Sequence, residues 1–432
     1  MRSYPPGFLE NVASDIRFNL YGDPQIEGDA KLQRQPWVGR LDLLINDYYL
    51  HHVYKSTISA FRPRYAVTMG DIFSSQWVSR AEYYTRIHRF KWISNQIDAR
   101  NNTIDGGDHR HFYLAGNHDI GYGEETRPYH INRYTNNFGP LNREWLVDID
   151  GTVTDDQHDN ERNVASAGLH RVVVLNAMNL DATRVEKYRH EVWDFVRSLA
   201  GKRFKHPDIP LILFLHIPLN KPDGVCEPQP TIILDDGFVA YQDYLSPVTS
   251  AYLLHCLKPT IVFNGHDHNG CLATHVVWPE TNMPIILGAS GRVLTSTEDL
   301  CSLTLDELDA YSSKIEDFAQ STISTTGSSN MTGASAWTAI EITVRSAMGA
   351  YNGVTGIFDI QRFADSQLQQ NRGDAHHREL RIVNERGMVG TANGYEYRYR
   401  EVPLGNHLTI RILLVTDIIS CIVVPALWLL AV

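Results

Sequence analysis

The chain has 432 residues, enough for a large buried core, and its 43% hydrophobic and 21% charged residues are those of a globular protein. A formal net charge of −11 argues against a nucleic-acid surface, which needs a basic field to displace counterions. Cysteines at positions 226, 256, 271, 301 and 421 lack metal-type spacing, and accommodate either one or two disulfides in an oxidising compartment or buried thiols.

In chain order, the apolar runs 16–21, 65–69, 111–115, 171–175, 211–215 and 260–264 read as buried strands. Amphipathic helices are predicted between them. The first, over 37–59, places Val38, Leu41, Ile45, Tyr48, His52 and Val53 near one face. Others cover 76–97 and 184–199, the latter through Val185, Tyr188, Val192, Phe195 and Leu199. Strands at 274–278, 284–287, 337–344 and 356–360 follow. The order predicts an α/β fold with two packed mixed β-sheets flanked by helices. A Ser/Thr-rich insertion is expected near 312–336, and a polar linker or juxtamembrane segment over 364–407. The main domain is accordingly drawn as 15–363.

Five short polar motifs each follow an apolar run: Asp23-Pro24-Gln25, Gly70-Asp71, Gly116-Asn117-His118-Asp119, His216 and Gly265-His266-Asp267-His268. Alone, Gly-Asp is more often a turn or cap, and an apolar-flanked His216 more often a core histidine. Jointly they supply oxygen and nitrogen donors for two adjacent divalent cations, the requirement of a two-metal hydrolase of phosphate esters. A shared carboxylate offsets repulsion between such cations, and Asp71 suits that position. Asn117 can ligate without adding charge. His118 can stabilise or protonate a departing alkoxide, with Asp119 orienting its imidazole. His266 and His268 stand at i and i+2, which in extended backbone project to one side and can each meet a different metal.

The ordered set of motifs, over about residues 15–290, resembles the calcineurin-like metallophosphoesterase superfamily. That resemblance implies Asp23, Gln25, Asp71 and His268 around one metal and Asp71, Asn117, His216 and His266 around the second. It further implies a water attacking phosphorus opposite the leaving oxygen, with His118 near the phosphoryl group. The superfamily usually has His where this chain has Gln25, whose amide oxygen is a harder, weaker donor. Mn²⁺ is therefore the expected metal, with Mg²⁺, Fe and Zn²⁺ as alternatives.

The Asp-Pro-Gln variant, the strand Glu341-Ile342-Thr343-Val344 and an apolar C-terminus narrow the resemblance. They point to the fungal membrane-bound phosphoesterases that remodel glycosylphosphatidylinositol (GPI) anchors. The implied activity is removal of an ethanolamine-phosphate branch from an anchor mannose, supporting export of GPI-anchored proteins from the endoplasmic reticulum. Implied partners are the anchor glycolipid or GPI-anchored proteins, the membrane and cargo-export machinery. A phosphoesterase for another substrate and an inactive membrane adaptor are the alternatives.

Residues 412–432 are mostly apolar and long enough to cross a hydrocarbon core as a helix, although Asp417 and Pro425 interrupt them. Arg398, Arg400 and Arg411 precede this stretch and lean towards a cytosolic domain. Acceptor triplets at Asn101 and Asn330 and the family resemblance favour a lumenal one in the endoplasmic reticulum membrane.

Overall fold

The computed structural model describes residues 15–94, 110–148, 153–154, 168–278, 285–287, 292–294, 297–310, 312–326, 337–362, 379–384, 387–392 and 395–404. The described strands begin with β1 (Ile16–Tyr21), β2 (Tyr65–Thr68), β3 (Arg110–Tyr113), β4 (Arg143–Asp148), β5 (Val153–Thr154), β6 (Leu169–Val174) and β7 (Leu211–Phe214). They continue with β8 (Ile232–Asp235), β9 (Phe238–Gln242), β10 (Ile261–Asn264), β11 (Cys271–Val277), β12 (Ile285–Leu287) and β13 (Arg292–Leu294). The last are β14 (Ile323–Thr326), β15 (Trp337–Thr343), β16 (Val354–Arg362), β17 (Glu379–Asn384), β18 (Gly387–Ala392) and β19 (Tyr395–Pro403).

Two mixed sheets organise them, in the orders β17-β18-β19-β16-β1-β2-β3 and β14-β11-β15-β10-β7-β6-β4-β5. In the first, β1, β2 and β3 are parallel; in the second, β6, β7, β10 and β15 are. Side-chain alternation sends Phe18, Leu20 and Val67 of one sheet into a common core with Ile212, Phe214, Phe263 and Ile342 of the other. The intervening residues, among them Tyr21, Ala66, Leu213 and Val262, join a second core with helix residues Tyr49, Val53, Tyr54, Trp193 and Val196. Burial on both faces explains why the central strands read as unbroken apolar runs.

Helices α1 (Asp29–Arg34) and α2 (Pro36–Phe61) connect β1 to β2, and α3 (Arg80–Ile93) lies between β2 and β3. Ser79 caps α3 by accepting from the Glu82 N–H, so this helix starts later than the predicted 76. The inward face of α2 also differs from expectation. Ile45, Tyr49, Leu50, Val53 and Tyr54 are buried, whereas Val38, Leu41 and Tyr48 point outward. Tyr54 stacks on Tyr21 of β1 at 3.9 Å, and this contact helps select the buried stripe.

The stretch expected as a polar linker, 364–407, instead contributes β17, β18 and β19 to the first sheet. Tyr395, Tyr397 and Tyr399 alternate with charged residues and turn their rings inward, so a polar composition hides a half-buried strand. Within the expected Ser/Thr-rich insertion, Ser312–Thr322 is a helix and β14 pairs with β11. Among the described residues no helix is long and apolar enough to cross a membrane. The predicted 412–432 span and the Asn101 and Asn330 acceptors lie outside the described residues.

Candidate metal centre

All five motifs stand just beyond the carboxyl ends of parallel strands, where open α/β sheets collect ligands. Asp23 and Gln25 follow β1, Asp71 follows β2, Asn117 follows β3, His216 follows β7, and His266 and His268 follow β10. One sheet thus contributes the carboxylates and amides, the other the imidazoles. Two glycines make the approach possible. A Cβ on Gly116 would strike the Asp71 carboxylate and the His216 ring, and one on Gly70, at φ 101°, would strike the His216 ring.

The seven predicted ligands form one cluster that Asp71 divides. On one side, the Gln25 amide nitrogen is 3.3 Å from Asp71 Oδ2 and 3.2 Å from His268 Nε2, and His268 Nε2 is 3.6 Å from Asp23 Oδ2. On the other, His216 Nε2 is 3.4 Å from Asp71 Oδ1 and 3.2 Å from Asn117 Oδ1. Donor atoms of Asp71, His216 and His266 lie within 4.8 Å of one another. Asp23, Gln25, Asp71 and His266 all adopt positive φ, at 32°, 41°, 46° and 70°. That conformation is costly for residues with a Cβ and concentrates where function demands it.

Backbone carbonyls aim the imidazoles. His216 Nδ1 donates to Met69 O at 2.7 Å, which leaves Nε2 facing Asp71. His266 Nε2 donates to Gln242 O at 3.0 Å, which leaves Nδ1 for the cluster. Burial lowers the His216 pKa, but the Asp71 and Asp23 carboxylates outweigh it and draw the group up to about 9. Burial raises the Asp23 carboxyl well above the usual range, with Asp71 adding to the rise and His216 opposing it. Asp23 and Asp71 thus bring two buried carboxyl groups to one imidazole, a grouping whose protons a divalent cation would replace. The cluster's hard oxygen donors, with imidazoles that give up any proton on ligation, fit two divalent ions: Asp23, Gln25, Asp71 and His268 would hold one, and Asp71, Asn117, His216 and His266 the other. Bound there, such cations would neutralise phosphoryl charge and lower the pKa of water.

His118 lies at the open side of the cluster. Its side chain is 38% exposed, and its Nε2 is 3.8 Å from Asp71 Oδ2, while its backbone N–H donates to Asp71 Oδ1 at 2.9 Å. Asp119 does not have the orienting role expected of it. Its buried carboxylate accepts from the backbone N–H groups of Ile72 at 3.1 Å, Phe73 at 3.3 Å and Gly116 at 2.9 Å. It therefore ties the Gly-Asp loop to the Gly-Asn-His-Asp loop, as a positioning residue.

Sequence reasoning missed the support beneath the histidines. Glu341 of β15 is fully buried; its Oε1 accepts from Leu219 N at 2.8 Å and Asn264 Nδ2 at 2.6 Å. Its Oε2 meets Lys221 Nζ at 2.8 Å and His275 Nε2 at 2.7 Å. One carboxylate thus fixes the chain just after His216 and just before His266. Burial pushes its pKa up, but Lys221 and His275 prevail and hold it down to about 2. The available signal was a lone acid inside an apolar strand, Ile340-Glu341-Ile342. A Cys226–Cys271 disulfide ties the loop that follows His216 to the start of β11, just beyond His268, and Cys256–Cys301 forms a second.

No family model matches the chain. An uncharacterized Schizosaccharomyces pombe protein, C23A1.02c, is 30% identical over 282 residues, covering 59% of this chain and 62% of the relative. Protein TED1 of Saccharomyces cerevisiae is 27% identical over 326 residues, covering 60% and 65%. Metallophosphoesterase 1 of Danio rerio is 25% identical over 296 residues, covering 65% and 71%. The chain thus spans less than two thirds of the length of the first two relatives. In its relatives, and in a motif set that converges on one cluster at the ends of two sheets, the chain is similar to the calcineurin-like metallophosphoesterases.

Proposed function

We propose that the chain is a phosphodiesterase that removes an ethanolamine-phosphate branch from a GPI-anchor mannose, on the lumenal side of the endoplasmic reticulum membrane, in support of GPI-protein export. The observation that carries the reading is the variant first motif. Gln25, where the superfamily usually has His, places its amide between Asp71 and His268. Two disulfides support an oxidising compartment. In this reaction the oxygen of a water bonds to phosphorus as the bond from phosphorus to the mannose oxygen breaks. His118, on the open side of the cluster, gives its proton to the departing oxygen.

The test is incubation of the purified chain and Mn²⁺ with a GPI glycan bearing ethanolamine phosphate, followed by mass analysis. Loss of the branch, abolished by chelation and by Asp71→Ala, is expected. An unchanged glycan alongside turnover of a simple phosphomonoester would overturn the substrate assignment and retain the chemistry.

A further inference from the structure

The outward face of α2 changes character along its length. Its first half exposes Val38, Leu41, Leu44 and Tyr48, which are 67%, 49%, 53% and 60% accessible. Its second half exposes His52, Lys55 and Ser59. Trp92 of α3 extends the apolar half. It is 42% accessible, stacks on His51 at 4.4 Å and meets the Tyr48 ring edge-on at 4.9 Å. Single exposed apolar residues are ordinary, but a contiguous run of five marks a contact surface. From Val38 to Tyr48 it extends about 15 Å along the helix.

Three observations identify what covers it. The first is position. A crossover helix between parallel strands starts at their carboxyl end, so the first half of α2 lies at the end of the sheet that carries the metal centre. Contacts agree: Asp47 of α2 pairs with Arg89, which also donates to Glu27 O, two residues beyond Gln25.

The second is where the described chain ends. Pro403 of β19 is opposite Val354, and Leu404 N–H donates to Gly353 O at 2.9 Å. Tyr351, two residues before Gly353, packs its ring against His268 at 4.6 Å. The chain thus leaves the described structure at the metal-centre end, eight residues before the 21-residue apolar stretch 412–432. Eight extended residues reach up to about 28 Å.

The third is charge. Arg40 is exposed in the apolar half of α2, and Lys55 is exposed at the start of its polar half. Aliphatic residues with Trp and Tyr at their margin and basic residues around them suit an anionic phospholipid surface.

We propose that the first half of α2, with Trp92, is seated on the bilayer, so that the metal-centre end of the domain faces the lipid headgroups. The inference rests on the expected membrane segment at 412–432 and not on the identity of the substrate. A protein held this way presents its cluster to phosphoesters at the membrane surface and works at high effective concentration there.

The test uses the full chain in nanodiscs of phosphatidylcholine and phosphatidylserine. Cys421→Ser leaves only the four disulfide-bonded cysteines, and a spin label is placed by Leu44→Cys or, as a control on the polar half, Ser59→Cys. Accessibility to oxygen, which concentrates in lipid, is compared with accessibility to a water-soluble nickel chelate. The oxygen-to-nickel ratio is expected to be several-fold higher at 44 than at 59. Equal nickel access at both positions would overturn the proposal by showing an open aqueous face. An immobile label at 44, shut off from both reagents, would overturn it in favour of a protein cover such as residues 412–432 or a second copy. None of these outcomes depends on hydrolysis, so failure here and failure of the proposed function are separately recognisable.

Discussion

The two halves of the candidate metal centre are built differently. The half on β1, β2 and β3 offers oxygen donors from Asp23, Gln25, Asp71 and Asn117, and three of these four sit at positive φ directly on strand-end turns. The half on β7 and β10 offers His216, His266 and His268, two of them aimed by carbonyls of other elements. Beneath this half lies a buried carboxylate that grips both histidine-bearing segments. The first half depends on backbone conformation written into each motif. The second depends on partners far away in sequence, and so is open to attack from residues that touch no ligand.

Removing the shared carboxylate should have the largest effect. Asp71→Ala is expected to abolish metal-dependent hydrolysis of an activated phosphodiester and to lower metal content on both sides of the cluster, while the far-UV dichroism of the sheets persists. Undiminished turnover would exclude Asp71 as the shared ligand.

Glu341→Ala tests the nitrogen half alone. It leaves Lys221 buried without its partner, a change that costs about 3–5 kcal/mol in urea unfolding. Metal affinity should fall at the His216/His266 side before the Asp23/Gln25 side, and an equal fall on both would show a general loss of structure. Replacing Cys226 and Cys271 together by Ala should cost about 2–4 kcal/mol and again loosen the histidine side first. Stability unchanged under reducing conditions would refute that bond's role.

Acid should weaken the scaffold independently of the centre. Burial holds His111 down to about 3 and His170 and His255 down to about 4, below an ordinary value of 6.5. They are neutral when folded and take up protons on unfolding, so their stabilisation is complete above pH 6.5. It is lost as pH falls from 6.5 towards 4, at about 1.4 kcal/mol per unit for each group. A melting temperature flat across that range would contradict the assignment. The smallest effect is expected from Gln25→His, which should tighten metal binding on the oxygen side by titration calorimetry; unchanged affinity would mean that Gln25 does not ligate.

Much of this was legible in the chain, and the limits were physical. Central strands were readable because burial on both faces removes polar residues from them. The motifs were readable because each is local: a turn and its donors are contiguous. For α2 the sequence carries two apolar stripes, and choosing Tyr49 and Tyr54 over Leu41 and Tyr48 required the sheet against which they pack. The strand Tyr395–Pro403 was hidden by its Arg and Glu residues, although its alternating tyrosines carried the period of two. Asp119 was misjudged because its partners, Ile72, Phe73 and Gly116, lie mostly in another loop.

By itself the sequence determined the α/β fold class, the family resemblance and the choice of seven candidate donors, since residue type and local turn geometry suffice for each. Only the tertiary structure decided that Asp71 stands between Gln25 on one side and His216 on the other. It likewise decided that Asp119 clamps loops, that Glu341 anchors the histidines, and which face of α2 remains open. Those outcomes depend on contacts between segments distant in the chain, and no local pattern encodes which partner a buried charge or an apolar stripe will find.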